Sequence, residues 1–166
     1  MASFGGMPVT LVGKTKKVGD HAPNFKAINT KLQQVSLSDF KEHYVVISVV
    51  PSLDTSVCSL QTRTVNSELA SRDDVIVLTI SNDTPFAQKR WCGNEGLDNI
   101  VTLSDNILLE FAMQYGTLME ELRLQSRAVF VLNPKRDIIY VEYLEEMSHH
   151  PNYEKLVQFV KELPKA

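Results

Sequence analysis

Apolar and polar positions switch between two periods along this chain. Tyr44 to Val50 is a continuous β-branched run, the pattern of a strand buried on both faces, and Pro51 ends it. A helix is predicted from Ser56 to Ala70, with Val57, Leu60, Val65 and Leu69 toward one side. Val75 to Ile80 is a second buried strand. Asn82-Asp83-Thr84-Pro85 opens the next helix, with Thr84 as N-cap and Pro85 at the first helical position. Ile100 to Leu103 is a short strand, and Leu108 to Tyr115 a helical segment stopped by Gly116. Ala128 to Leu132 and Ile138 to Tyr143 form a hairpin across the turn-rich segment 133–137. A last helix starts near Asn152, with Leu156, Phe159, Val160 and Leu163 apolar.

The first forty residues read as shorter pieces. Met7 to Val12, followed by Gly13-Lys14, predicts an N-terminal β-hairpin returning through Lys16 to Val18. Phe25 to Ile28 pairs with Gln34-Val35. Ser36, with Asp39 three residues on, caps a single turn through Phe40.

This order implies an α/β fold. The first two core strands are parallel because a helix joins them, and the hairpin adds an antiparallel edge. The result is a mixed central sheet with helices on both faces, compatible with a thioredoxin-like fold among other α/β arrangements. No repeat or linker divides the chain, so 1–166 is expected to be a single domain.

Composition narrows the function. The apolar share of 43% is ordinary for a globular chain, and the formal charge of -3 disfavours a general nucleic-acid or anionic-membrane binder. No apolar run approaches the ~20 residues of a membrane helix, and no targeting segment is visible, so a cytoplasmic protein is expected. Two cysteines are too few for a disulfide-dense scaffold or a four-cysteine zinc site. In a reducing compartment they point to chemistry rather than architecture.

Pro51-Ser52-Leu53-Asp54-Thr55-Ser56-Val57-Cys58 lies where a buried parallel strand gives way to a helix, the end of an α/β sheet at which ligand sites gather. Cys58 falls in the first helical turn, where free N–H groups and the helix dipole favour a thiolate. The Thr55 hydroxyl is placed to reach toward the sulfur. The alternative is a small buried cysteine filling a helix–sheet gap. Asp54 would oppose a nearby thiolate, so a cation must compensate. Arg127, which opens an apolar strand, is the candidate, the alternative being a solvated strand end. Cys92 follows 34 residues after Cys58, far from the spacing of a Cys-x-x-Cys redox pair. Taken by itself it reads as a helix residue under Trp91, and two thiols on adjacent elements leave a disulfide conceivable. His21, His43 and the adjacent pair His149-His150 have no carboxylate–histidine cluster around them, Lys14 to Lys17 is a solvated basic patch, and Met113, Met119 and Met147 read as packing.

Pro51-x-x-x-Thr55-x-x-Cys58 resembles the peroxidatic motif of peroxiredoxins. The segments PSLDTSVCSLQTR (51–63), ISNDTPFAQKRWCGNEGLDNIVTLSD (80–105) and SRAVFVLN (126–133) resemble the bacterial thiol peroxidase subfamily of atypical two-cysteine peroxiredoxins, as does the N-terminal MPVTLVGKTKKVGDHAPNF. The resemblance implies a thioredoxin fold, peroxide substrates and no metal or organic cofactor. It assigns Cys58 as peroxidatic and Cys92 as resolving, with Thr55, Arg127 and Pro51 completing the pocket. It further implies a Cys58–Cys92 disulfide reduced by thioredoxin, and a homodimer with its interface beside the active-site loops. A disulfide reductase or isomerase is disfavoured by the missing Cys-x-x-Cys, and a non-enzymatic peroxide sensor is the alternative of a different class.

Overall fold

The computed structural model describes residues 1–69, 72–96 and 100–166. In chain order, the elements begin with β1 (Ser3–Phe4), β2 (Met7–Pro8), β3 (Leu11–Val12), β4 (Lys26–Ile28) and β5 (Gln34–Ser36). A 3-10 turn over Leu37–Phe40 leads to β6 (Tyr44–Val49), α1 (Ser56–Leu69), β7 (Val75–Ser81), α2 (Pro85–Glu95) and β8 (Val101–Ser104). Then come α3 (Glu110–Tyr115), β9 (Leu118–Met119), β10 (Leu124–Gln125), β11 (Ala128–Leu132), β12 (Ile138–Tyr143) and α4 (Tyr153–Lys161).

The main sheet runs β12-β11-β6-β7-β8-β4-β5. β6, β7 and β8 are parallel, while β11, β12, β4 and β5 join antiparallel, giving the expected mixed sheet. The period of two explains why β6 is apolar throughout. Val45, Ile47 and Val49 enter one core with Phe25, Phe111, Tyr115 and Phe130. Tyr44 and Val46 enter a second with Val65, Leu69, Leu156 and Val160. α3 thus covers one face, and α1 with α4 the other.

Capping holds where side chains announce it. Thr84 Oγ1 accepts from Ala87 N at 3.2 Å, with Pro85 in the first turn. Asn152 Oδ1 accepts from Lys155 N at 3.0 Å, and Asp39 closes the Leu37–Phe40 turn on Ser36 N at 2.9 Å. Gly116 ends α3 in the left-handed region at φ 69°, packed so closely on Thr15 that a Cβ would lie 2.7 Å from its nitrogen.

Three expectations need correction. The N-terminal hairpin is β1–β2, turning at Gly5-Gly6; Leu11–Val12 instead pairs with β9, and no strand runs through Lys16 to Val18. The two glycines at φ 57° and 84° make the tighter turn. In α1 the buried positions are Cys58, Gln61, Thr62, Val65 and Leu69, whereas Leu60 is 48% exposed. The buried face carries polar side chains, so an apolar periodicity points one step astray. The expected last residue of that helix, Ala70, lies outside the described residues. Met113 is exposed rather than packed, unlike the buried Met119 and Met147.

Candidate active site

The site forms where β6 ends. Val50 N still donates to Ile80 O, and the buried Pro51, lacking an N–H, stops the ladder. The chain then turns tightly: Ser52 O accepts from Thr55 N and from Thr55 Oγ1, both at 3.2 Å. Thr55 Oγ1 accepts in turn from Cys58 N at 3.3 Å. Thr55 is therefore the N-cap of α1 and Cys58 its third residue. The threonine hydroxyl meets the cysteine's amide rather than reaching for the sulfur, because the helix N-terminus supplies the nearer orphan donor.

Arg127 is 1% exposed, so the solvated-strand-end alternative falls. Its Nη2 donates to Cys58 Sγ at 3.1 Å, its Nη1 to Gln61 Oε1 at 3.0 Å and its Nε to Met147 O at 2.7 Å. A buried guanidinium needs every donor direction answered, and here one of the answers is the sulfur. Gln61 sits one turn beyond Cys58 and donates to Ser48 Oγ on β6 at 2.9 Å, which fixes its carbonyl oxygen toward the arginine.

Asp54 does not oppose the sulfur. It is exposed and receives Arg90 Nη2 at 3.3 Å. Cys92 lies in α2 and joins Cys58, Val50, Leu53 and Trp91 in one small apolar cluster. No disulfide joins the two cysteines. The thiols are thus carried by two helices that follow the adjacent parallel strands β6 and β7 and converge on a shared patch.

The Redoxin family pattern matches residues 17–157. A protein of Listeria innocua called thiol peroxidase is 54% identical over 159 residues, which are 96% of each chain. A thiol peroxidase of Bacillus subtilis is 49% identical over 98% of each chain. The chain belongs to the Redoxin family, among its thiol peroxidases. The crystal structure of a peroxiredoxin-like protein from Aquifex aeolicus superposes with TM-score 0.91 at 37% identity, covering 98% of this chain and 96% of that one.

In this Redoxin-family chain the sequence-based candidates Pro51, Thr55, Cys58 and Arg127 come together, with Cys92 across the shared cluster. The sequence does not point to Gln61 or Asp83 as site residues, and it points to Met147 only as packing. Gln61 could have been found as a glutamine on the buried side of α1. Met147 holds the guanidinium through its backbone carbonyl, which any residue could supply, and its sulfur accepts from Arg127 N at 3.1 Å. The histidines form no metal cluster among the described residues, and no described helix is long and apolar enough to cross a membrane.

Proposed function

We propose that this chain reduces hydrogen peroxide and organic hydroperoxides by thiol chemistry at Cys58. The observation that carries the reading is Arg127 Nη2 at 3.1 Å from a cysteine sulfur in the first turn of a helix. The guanidinium and the helix N-terminus together suit a sulfur nucleophile and offset the cost of burying its charge. The family membership supports the same chemistry.

The Cys58 thiolate attacks one peroxide oxygen. An S–O bond forms, the O–O bond breaks, and the leaving oxygen takes a proton to give water or an alcohol. Arg127 stabilises the charge that spreads over both oxygens, the Thr55 hydroxyl adds a donor to the peroxide by turning its one hydrogen away from Ser52 O, and Pro51 shields the sulfur. Cys58 carries no exposed surface, so breathing of the pocket wall admits the substrate. The resulting sulfenic acid condenses with the Cys92 thiol, releasing water and forming a disulfide. Thioredoxin returns two electrons and two protons by dithiol exchange. This cycle fits the cytoplasm, where that reductant is kept reduced.

A homodimer is part of the same reading. Phe86, Ile107, Leu108 and Leu122 are exposed large apolar side chains. The first three follow the carboxyl ends of β7 and β8, and Leu122 adjoins Arg123, whose carbonyl accepts from Asn82 at that same end.

Oxidation of NADPH with thioredoxin, thioredoxin reductase and hydrogen peroxide tests the function. The unaltered chain turns over, Cys58→Ser does not, and Cys92→Ser consumes about one peroxide per chain and stops. Normal turnover by Cys58→Ser would overturn the assignment.

A further inference from the structure

The loop that carries the reactive turn is held from outside by one carboxylate. Asp83 lies between the end of β7 and the start of α2. Its Oδ1 accepts from Ser52 Oγ at 2.7 Å, and its Oδ2 from Leu53 N at 2.8 Å and Ser81 Oγ at 2.9 Å. Its own carbonyl accepts from Ser104 Oγ at 2.6 Å, which anchors the aspartate to β8. From there a continuous chain of hydrogen bonds runs to the sulfur's own residue. Ser52 O accepts from Thr55 N and Oγ1, and Thr55 Oγ1 accepts from Cys58 N. On its other side Asp83 precedes Thr84, the N-cap of the helix that bears Cys92. One residue therefore ties the segment ahead of the first thiol to the base of the helix carrying the second.

We infer that Asp83 is a positioning residue that holds the Ser52–Cys58 turn in its attacking conformation, and that release of this tether is what the turn undergoes on the way to the disulfide. The inference rests on the proposed roles of Cys58 and Cys92. Asp83 touches neither sulfur. It acts by fixing Ser52 and Leu53, hence the Thr55 hydroxyl and the first turn of α1. The physical consequence has two opposite signs. An attacking nucleophile profits from a fixed turn, because small displacements of aligned groups are expensive in rate. A sulfur that must travel to another helix is hindered by the same fixity, because the turn has to open first. Asp83 thus sets the balance between peroxide attack and disulfide closure. A residue with a merely structural role would slow both steps together.

Rapid-mixing experiments with intact-mass detection separate the two steps. Oxygen addition to Cys58 is followed in the Cys92→Ser background with hydrogen peroxide, and disulfide closure, read as the loss of two hydrogens, in the chain with both thiols. In Asp83→Ala we expect attack to slow about tenfold and closure to quicken about tenfold. Asp83→Asn keeps one oxygen acceptor and shifts both rates in the same directions by less. Ser52→Ala, which removes the Oδ1 partner together with the acceptor of Asp54 N and leaves the Oδ2 bonds in place, does likewise. Should Asp83→Ala fail to fold, as judged by circular dichroism, the Asn and Ser52 variants carry the measurement. Rates that fall together, or that both stay unchanged, overturn the inference while leaving the peroxidase reading intact. A chain with Asp83 in place whose Cys58 gains no oxygen overturns both.

Discussion

Arg127 places Nη2 3.1 Å from Cys58 Sγ across 69 residues of sequence. The arginine is itself immobilised by Gln61 Oε1 and Met147 O, so its position is set before any peroxide arrives.

Replacing Arg127 by Met should lower the second-order rate with hydrogen peroxide by about 10² or more, the usual loss when one donor to a developing charge is removed. Arg127→Lys keeps the charge but not the fork that serves sulfur and glutamine together, so it should recover only part of the rate. Stopped-flow peroxide kinetics give the comparison. A rate unchanged in Arg127→Met would remove the arginine from the chemistry.

Thr55→Val keeps the volume and loses two hydrogen bonds, one as donor to Ser52 O and one as cap of Cys58 N. Loss of the cap should cost about 1 kcal/mol of stability, and loss of the hydroxyl as a peroxide donor roughly 10²–10³ in rate. Thr55→Ser retains both bonds and should stay near the parent. Denaturant melts and peroxide kinetics on the two variants read these separately.

How much of this was open to a reader of the sequence differs by residue. Cys58 and Thr55 announce themselves because a helix start is a local pattern. Arg127 could be suspected but not placed, since its partners sit 66 and 20 residues away and one of them is a backbone carbonyl. The seven-strand order was half legible. β6, β7, β11 and β12 follow from runs and connections, but β4 meets β8 through a single register pair, Ile28 with Ser104, which no local pattern encodes. On α1 the expected Val65 and Leu69 are buried, but Leu60 is exposed and the first turns bury Gln61 and Thr62 instead, for hydrogen bonding rather than for apolar transfer.

Oxidation should open the first turn of α1, the segment around Cys92, or both. A sulfur seated against Arg127 must come within about 2.05 Å of the other sulfur, and packed helix axes lie roughly 8–10 Å apart. Trp91, buried beside Cys92, should report the opening as a change in fluorescence between reduced and oxidised protein. Reduced and oxidised crystal structures that superpose within error over 54–62 and 88–96 would contradict it.

Acid sensitivity has an identifiable source away from the site. The Arg72 guanidinium, 2.6 Å from Asp74, holds that carboxyl down at about 2, from an ordinary value of 3.8. A depressed carboxyl contributes stability that is complete above its unfolded value and fades as pH falls from about 4 toward 2. Arg72 also donates to Val160 O and Leu163 O, so the pair pins the end of the chain. Asp74→Asn should lose about 1 kcal/mol at neutral pH, a deficit that shrinks toward zero as pH falls to 2 and below. Chemical melts across that range, showing an equal deficit at both ends, would refute the assignment.

Sedimentation at micromolar concentration should show a species of twice the 18.7 kDa chain mass. Charged replacements at Phe86 and Ile107 should reduce it to the single chain. A monomer before substitution would contradict the assembly.

The grip of Met147 on Arg127 also bears on how the protein is born. Met147 N donates to Ser3 O, and Ser3 N to Glu145 O, so the carbonyl that seats the guanidinium is itself held by β1. A nascent chain whose ribosome has not yet released residue 147 already exposes Cys58 and Cys92 but has no seated arginine between strand and helix. Such a chain carries two thiols without the machinery to use them, and arrival of the segment around Met147 is what turns a vulnerable polypeptide into one that can handle oxidants.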